Sequence, residues 1–219
     1  MMKLVYLGPP GVGKGTHADL SAERFGIPKI AMGDIIRGEI SKGTEFGARL
    51  KRDHDRGILV PDGIVMDLLS ERIHQGDCKE GFILDGVPRT LTQAEVLSAL
   101  LMKEDSTIDL VVYFRASENT LKERLGGRVT CRGCGQIYHQ RNQPPQREGV
   151  CDVCGGELYV RPDQSEEAIE ERLREYKIKT APVRDFYGKE GILRDIDAEG
   201  SIPHIQSELM TLFETERLS

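Results

Sequence analysis

Lys3-Leu4-Val5-Tyr6-Leu7-Gly8-Pro9-Pro10-Gly11-Val12-Gly13-Lys14-Gly15-Thr16 joins a short apolar run to a glycine-rich loop. The run from Lys3 to Leu7 predicts a strand, and the residues from Lys14 to Phe25 recur at helical spacing. Glycines between a strand and a helix let backbone N–H groups surround phosphate oxygens, and Lys14 adds a full positive charge. The segment therefore predicts a phosphate-binding loop. It departs by one residue from the strict P-loop pattern, because Gly15 precedes Thr16.

Three further apolar runs predict additional strands. They are Phe82 to Leu84, which ends in Asp85, then Leu110 to Phe114, and Ile192 to Ile196. Helical pattern separates each run from the next. Strands that alternate with helices favour right-handed crossovers and a parallel sheet covered on both faces. We therefore expect an α/β fold of the P-loop NTPase type, a parallel sheet flanked by helices, with ligands at the carboxyl ends of the strands.

Two segments interrupt this alternation and are interpreted as insertions. Residues 31–60 are rich in charge and glycine and contain helical patterns at Asp34–Ile40 and Glu45–Asp55. Residues 127–164 combine cysteine, glycine and proline with few large aliphatic residues, so burial alone is not expected to hold them. The remaining segments, 1–30, 61–126 and 165–219, are assigned to the core domain.

The second insertion contains two cysteine pairs, Cys131/Cys134 and Cys151/Cys154, with 16 residues between the pairs. This spacing is typical of a four-thiolate metal site, for which Zn²⁺ is the expected ion, with iron and two disulfides as alternatives. A site closed by four protein ligands is structural, because it leaves no position for water or substrate. Cys78 is expected to be a partly buried thiol that acts as a small hydrophobe.

The composition is that of a globular protein. The chain has 219 residues, a formal net charge of −6 and 38% hydrophobic residues. Net acidity argues against a general nucleic-acid binder. The apolar run before the glycine loop is too short for a signal peptide or a membrane span, so we expect a cytoplasmic protein with neither nucleic acid nor membrane as partner.

Several side chains suit the chemistry of phosphate transfer. Asp85 ends a strand beside the phosphate loop, where its carboxylate would hold Mg²⁺ directly or through water. Guanidinium groups bind phosphate oxygens in bidentate fashion, and an anionic acceptor needs no general base. Six arginines stand beside a glycine loop, an element end or an insertion boundary: Arg37, Arg89, Arg124, Arg128, Arg161 and Arg172.

With Ala31-Met32-Gly33-Asp34-Ile35-Ile36-Arg37, Asp85-Gly86-Val87-Pro88-Arg89-Thr90 and Gln93 added, the chain resembles the adenylate kinase family over nearly its whole length. The resemblance implies Mg²⁺-dependent, reversible transfer of the terminal phosphoryl group of ATP to AMP, giving two ADP. Residues 31–60 would then be the AMP-binding insertion, and residues 127–164 a zinc-binding lid. We expect a monomer, because two mobile modules need free surface to open and close.

The resemblance also implies site residues. The residues expected at ATP are Gly11, Val12, Gly13, Lys14, Gly15, Thr16, Arg124, Arg128, Ile137 and Tyr138. Those expected at AMP are Met32, Arg37, Ile58, Leu59, Val60, Gly86, Val87, Pro88, Arg89, Gln93, Arg161 and Arg172. Asp85 and Thr16 are expected near Mg²⁺. The catalytic set is Lys14, Arg89, Arg124, Arg128, Arg161 and Arg172.

Three positions depart from the family pattern, and two other functions compete. Met32 replaces a hydroxyl residue, Val87 replaces a phenylalanine, and Gln164 replaces an aspartate at the lid hinge.

One competing function is a kinase for UMP or CMP, against which Gln93 and the long lid argue. The other is a zinc-ribbon nucleic-acid module attached to an ATPase, which the net acidity disfavours.

Overall fold

A computed structural model describes residues 2–216, which contain a five-stranded parallel sheet in the order β2-β3-β1-β4-β8. The fold class predicted from the sequence is confirmed. The strands of this sheet are β1 Met2–Leu7, β2 Lys29–Ala31, β3 Gly81–Asp85, β4 Leu110–Arg115 and β8 Leu193–Asp197. The sequence pattern does not predict β2, because its three residues are too few to show periodicity.

Helices precede and follow these strands. They are α1 Lys14–Phe25, α2 Met32–Ser41, α3 Glu45–Asp55, α4 Asp62–Ile73, α5 Leu91–Met102, α6 Glu118–Gly126, α7 Glu166–Glu175, α8 Ala181–Lys189 and α9 Ile202–Thr215. A π-helical turn, Tyr176–Thr180, joins α7 to α8. Between residues 2 and 216, none of the helices combines the length and apolar character that a membrane span requires.

The central strand β1 divides the core into two layers. Val5 and Leu7 point to the face covered by α4, α5 and α8, whereas Leu4 and Tyr6 point to the face covered by α1 and α9. Alternate side chains of a strand point to opposite faces, so both faces of this strand are buried. This arrangement explains why β1 is a continuous apolar run rather than an alternating one.

Strand register brings the expected site residues together. Tyr6 pairs with Asp85 on β3, and Leu7 pairs with Tyr113 on β4. Because the strands are parallel, their carboxyl ends meet at one edge of the sheet, where the glycine loop follows β1. The carboxyl group of Asp85 therefore lies beside that loop.

A second, smaller sheet is antiparallel and lies outside the main one. It has the order β6-β5-β7, with β5 Arg128–Cys131, β6 Ile137–His139 and β7 Leu158–Tyr159. Its apolar cluster is small and includes two of the cysteines: Val129, Cys131, Tyr138 and Cys151. So small a core agrees with the expectation that burial alone does not hold this segment.

Candidate active site

A cleft of about 1160 Å³ opens at the carboxyl edge of the parallel sheet. The glycine loop forms one side of it, and β6 of the small sheet forms another. Every residue expected at ATP lines this cleft: Gly11, Val12, Gly13, Lys14, Gly15, Thr16, Arg124, Arg128, Ile137 and Tyr138. These residues come from the glycine loop and from four elements, α1, α6, β5 and β6, so the fold rather than sequence proximity assembles the set.

The glycine loop is tightly packed against the core. A Cβ at Gly8 would lie 2.6 Å from the carbonyl oxygen of Phe114, and one at Gly11 would lie 2.9 Å from that of Leu121. Both glycines also have positive φ, 145° and 84°, which side-chain-bearing residues rarely adopt. The loop thus requires glycine at these positions for both backbone conformation and space.

Lys14 is folded back onto its own loop. Its Nζ donates to the carbonyl oxygens of Gly8, at 2.8 Å, and Pro9, at 2.9 Å. Burial lowers the pKa of Lys14 to about 7, although the carboxylate of Asp85 acts in the opposite direction. The surroundings of Lys14 therefore disfavour its positive charge, and an incoming anion would stabilise the charged amine.

Asp85 and Thr16 offer hard oxygen ligands beside the loop. A Cβ at Gly15 would lie 3.2 Å from Oδ2 of Asp85, so the carboxylate touches the start of α1. Thr16 is exposed and lines the same cleft. A carboxylate and a hydroxyl next to a phosphate loop match the ligands that Mg²⁺ prefers, and the residues fit an ATP-borne Mg²⁺.

Positive charge is concentrated around the cleft. Burial lowers the pKa of Arg89, of Arg128 and of Arg172, the last to about 9, and neighbouring arginines lower each of them further. Arg124 Nη1 donates to the carbonyl oxygen of Val12 at 3.2 Å, which ties it to the glycine loop. These cations are partly desolvated and repel one another, so a bound polyanion would stabilise the cluster.

One buried carboxylate lies among these cations. Asp163 forms a two-pronged ion pair with Arg161, whose Nε donates at 2.8 Å, and accepts from Arg172 Nη1 at 3.3 Å. Burial alone would raise the pKa of Asp163, but the hydrogen bond and charge of Arg161 lower it to about 2. Gln164, which departs from the family pattern, accepts from the backbone N–H of Arg161 at 3.3 Å. Its oxygen thus helps to hold the backbone of Arg161.

A second, smaller cavity is lined by residues of α2, α3, α4, α5 and α7 and by segments between them. Ten of the residues expected at AMP line it: Met32, Arg37, Ile58, Leu59, Val60, Gly86, Arg89, Gln93, Arg161 and Arg172. Pro88 lines the larger cleft instead, and Val87 is 1% exposed within the hydrophobic core. Four arginines, Arg37, Arg89, Arg161 and Arg172, line both cavities.

Gln93 is buried in the lining of the smaller cavity, and both ends of its amide form hydrogen bonds. Its Oε1 accepts from the backbone N–H of Arg89 at 2.7 Å, and its Nε2 donates to Oδ1 of Asp62 at 2.7 Å. Arg89 is held in turn through Nε, which donates to the carbonyl oxygen of Gly86 at 2.8 Å. Asp62 stands in no recognisable sequence pattern, because its link to Gln93 depends on the packing of α4 against α5.

His54 is another residue of the smaller cavity that sequence pattern does not reveal. Its ring lies on α3, and its buried Nδ1 has no hydrogen-bond partner among residues 2–216. Burial lowers the pKa of His54. The positive charge of Arg37 lowers this pKa further, whereas the negative charge of Asp163 raises it. The imidazole is therefore neutral at pH 7.

The four cysteines of the small sheet converge on one point. Their sulfur atoms all lie within 4.8 Å of one another, with 3.4 Å between Cys131 and Cys154 and 3.5 Å between Cys134 and Cys151. Zinc–sulfur bonds of 2.3 Å in a tetrahedron would place sulfurs about 3.8 Å apart, whereas a disulfide requires about 2 Å. The Gly133 N–H also donates to the Cys131 sulfur at 3.3 Å. This donor set fits zinc.

Comparisons with known proteins agree with this geometry. The family model described as adenylate kinase matches residues 6–192. A protein named adenylate kinase from Archaeoglobus fulgidus is 46% identical over 213 residues, which cover 97% of this chain and 98% of that protein. Its namesake from Thermodesulfovibrio yellowstonii is 45% identical over 97% of this chain and 99% of its own length. A third adenylate kinase, from Carboxydothermus hydrogenoformans, is 47% identical over 93% of this chain and 95% of its own length. The chain belongs to the adenylate kinase family.

Proposed function

We propose that this chain transfers the terminal phosphoryl group of ATP to AMP, reversibly, giving two ADP, and so balances the adenine nucleotides. One observation supports this above the others. The phosphate loop lines the larger cleft, the buried side chain of Gln93 lines the smaller cavity, and four arginines line both. Two nucleotides would thus meet phosphate to phosphate across a shared cationic wall.

ATP occupies the larger cleft in this proposal. The N–H groups of Gly11, Val12 and Gly13 through Thr16 surround its phosphates, and Lys14 exchanges its two carbonyl partners for phosphate oxygens. Arg124 and Arg128 contact the same polyphosphate from the lid side. Ile137 and Tyr138 on β6 cover the nucleotide when the lid closes.

AMP occupies the smaller cavity. Arg37 and Arg89 bind its phosphate, while Gln93 contacts the adenine base beside residues 58–60. Met32 is 2% exposed and contributes an apolar wall rather than a hydroxyl. The loop of Gly86, Val87 and Pro88 supports this cavity from the core, with Val87 acting through packing.

Catalysis consists of alignment and charge stabilisation. The phosphate of AMP is already anionic, so no side chain has to remove a proton from the attacking oxygen. Lys14, Arg89, Arg124, Arg128, Arg161 and Arg172 hold the two phosphate chains in line and stabilise the negative charge of the transferring group. Mg²⁺ brought by ATP would supply further charge neutralisation, with Asp85 and Thr16 as the nearest oxygen ligands.

The zinc site has a structural role in this proposal. Bound zinc would cross-link the two cysteine pairs and hold residues 127–164 together as a lid that moves without unfolding. Closure of the lid brings its arginines to the phosphates and excludes water, which protects ATP from hydrolysis. Residues 31–60 form the second moving part, and residues 2–30, 61–126 and 165–216 form the fixed core. Met1 and residues 217–219, which the sequence also assigns to the core, lie outside the described residues.

We also propose that the protein acts as a cytoplasmic monomer whose ligands are ATP, AMP and ADP. A net charge of −6 and a sequence pI of about 5.5 support the absence of nucleic acid and anionic membrane as partners. Light scattering on the purified chain tests the monomer. Salt-dependent binding to single-stranded RNA would contradict the absence of nucleic-acid binding.

A coupled assay in both directions tests the activity. ATP with AMP should yield ADP, and ADP alone should yield ATP with AMP, each requiring Mg²⁺. AMP should give a higher kcat/KM than UMP or CMP as the acceptor. Metal-loaded, folded protein that forms no ADP from ATP and AMP would refute the proposal, and a preference for UMP or CMP would assign it to another acceptor class.

A further inference from the structure

Asp62 connects the start of α4 to the residues that hold the acceptor cavity. It is half-buried, and its two carboxylate oxygens have different partners. Oδ1 accepts from Gln93 Nε2 at 2.7 Å, and Oδ2 accepts from Thr90 Oγ1 at 2.9 Å. Thr90 in turn caps α5, since its Oγ1 accepts from the backbone N–H of Gln93 at 3.1 Å.

These contacts determine which way round the Gln93 amide lies. A backbone N–H, that of Arg89, can only donate, so the Gln93 atom facing it must be the oxygen. A carboxylate, that of Asp62, can only accept, so the atom facing it must be the NH₂ group. Turning the amide over would oppose donor to donor at one end and acceptor to acceptor at the other.

We propose that Asp62 is a positioning residue that sets the base specificity of the acceptor site by holding the Gln93 amide in one of its two orientations. The inference rests on the proposed function, in which Gln93 contacts the base of the acceptor nucleotide. In the held orientation the amide keeps one unused lone pair on Oε1 and one unused N–H on Nε2.

This remaining pair matches one type of base edge. Adenine presents an amino donor at N6 next to an acceptor at N1, which complement an amide oxygen and an amide N–H. Hypoxanthine has the same shape but presents an acceptor at O6 and a donor at N1. IMP therefore fits the cavity of AMP and meets two opposed hydrogen-bonding groups, a mismatch that polar sites penalise strongly.

Freeing one end of the amide should relax this discrimination. Without an acceptor at position 62, only the Arg89 N–H favours the held orientation, and the turned amide becomes accessible to an IMP complex. A charged hydrogen-bond partner is lost, so the ratio of kcat/KM for AMP to kcat/KM for IMP should fall about tenfold. A purely structural role for Asp62 would lower both values together and leave the ratio unchanged.

The test measures kcat/KM for AMP and for IMP in the wild type, Asp62→Ala and Asp62→Asn, with Asp67→Ala as the matched control. Asp67 is an exposed carboxylate on the same helix. The wild type should prefer AMP by at least about 100-fold, and Asp62→Ala should lose about tenfold of that preference. Asp62→Asn should retain it, because its amide oxygen can accept from Gln93 while its NH₂ donates to the Thr90 hydroxyl.

The outcomes separate this proposal from the function on which it rests. A wild type that does not use AMP refutes the proposed function. If the wild type uses AMP but folded Asp62→Ala keeps the same ratio of kcat/KM for AMP to kcat/KM for IMP, only the role of Asp62 is refuted. The same conclusion follows if Asp62→Asn lowers this ratio as much as Asp62→Ala does. Should Asp62→Ala fail to fold, Asp62→Leu fills the same space without a hydrogen-bond acceptor. A wild type whose kcat/KM for IMP equals that for AMP refutes the proposal without any variant.

Discussion

Arg172 Nη1 lies 3.2 Å from the backbone oxygen of Asp163 and 3.3 Å from its carboxylate. The same carboxylate is paired with Arg161, and the side chains of Arg161 and Asp163 are 7% and 6% exposed. A buried anion thus stands where, in the proposed function, the phosphates of two nucleotides would converge. Asp163 supplies the negative charge that keeps these arginines together.

Replacing Asp163 by asparagine should destabilise the empty protein. The two arginines would remain buried without a counter-charge, so we expect the free energy of unfolding to fall by about 3 kcal/mol. A bisubstrate mimic with two adenosines joined by a phosphate chain should reduce this difference, because its phosphates pair with the same arginines. Denaturant unfolding with and without the mimic provides the measurement.

Asp77→Asn is the control for this variant. Asp77 is paired with Arg72 at 2.8 Å but lies at the surface, where such pairs contribute little. Its loss should leave stability almost unchanged. Equal effects of Asp77→Asn and Asp163→Asn would contradict the structural role assigned to Asp163.

The contribution of Asp163 should also depend on pH in a defined window. Its pKa is lowered from 3.8 to about 2, so the folded state binds this proton more weakly than the unfolded state. The stabilisation is therefore fully present above pH 3.8 and is lost as the pH falls through 2. The stability difference between wild type and Asp163→Asn should shrink from pH 4 to pH 2. A difference that stays constant over this range would contradict the assignment.

The parts of the fold that depend on local pattern can be predicted from the sequence. Helix α1 covers the predicted residues, Lys14–Phe25, because the glycines before it and Gly26 after it mark both ends. Glu45–Asp55 is likewise a helix at the predicted bounds, with Thr44 as its cap. Strand β2 and the antiparallel strands of the small sheet escape prediction, because two to four residues carry no measurable period.

Candidate site residues divide in the same way. Lys14 and the cysteines stand in spacings that indicate their chemistry directly. Asp62, Asp163 and His54 have no such spacing. The folded chain brings His54 and Asp163 to the smaller cavity, and it brings Asp62 to Gln93. These residues are brought together by tertiary packing, so their roles cannot be predicted from one sequence alone.

Removal of the metal should lower thermal stability more than it lowers turnover per folded molecule. Cys134→Ser breaks the four-thiolate set, so we expect bound zinc to fall from about one per chain to none. Because the small sheet has little apolar core, thermal stability should fall sharply, while turnover per folded molecule at low temperature falls less. Metal analysis and calorimetry measure the two effects.

Cys78→Ser is the matched control for the metal site. Cys78 is buried in the main core, where burial raises the pKa of its thiol and Arg72 Nη1 donates to its sulfur at 3.0 Å. This variant should keep its zinc. Complete zinc loss from Cys134→Ser with unchanged stability would rule out a structural role for the metal.

Gly57 is expected to be intolerant of a side chain. It has φ of +76°, and a Cβ there would lie 2.7 Å from the carbonyl oxygen of Ala168 and 2.8 Å from Cγ of Arg172. Gly57→Ala should therefore lower the free energy of unfolding by about 2 kcal/mol and, by displacing Arg172, raise KM for AMP. Gly38→Ala is the control, since Gly38 is helical with nothing within 4 Å of a Cβ. It should be neutral or stabilising.

Lys14 links proton binding to nucleotide binding. Burial lowers its pKa from 10.5 to about 7 in the empty protein, whereas the unfolded chain keeps the ordinary value. Between pH 7 and pH 10.5 the unfolded chain is therefore protonated at Lys14, whereas the folded protein without nucleotide is not. The contribution of Lys14 to stability consequently increases as the pH rises through this range. Bound phosphates would reverse this effect by stabilising the charged amine.

Binding of ATP at pH 8 should consequently take up a proton at Lys14. Calorimetric titrations in two buffers with different ionisation enthalpies should report an uptake close to one proton, as expected when a pKa rises from about 7 to well above 8. Lys14→Arg supplies the control, because a guanidinium stays protonated and has no proton to gain. The difference between the two proteins isolates this residue from the titration of the nucleotide itself. Equal uptake by both would mean that Lys14 is already charged in the empty cleft.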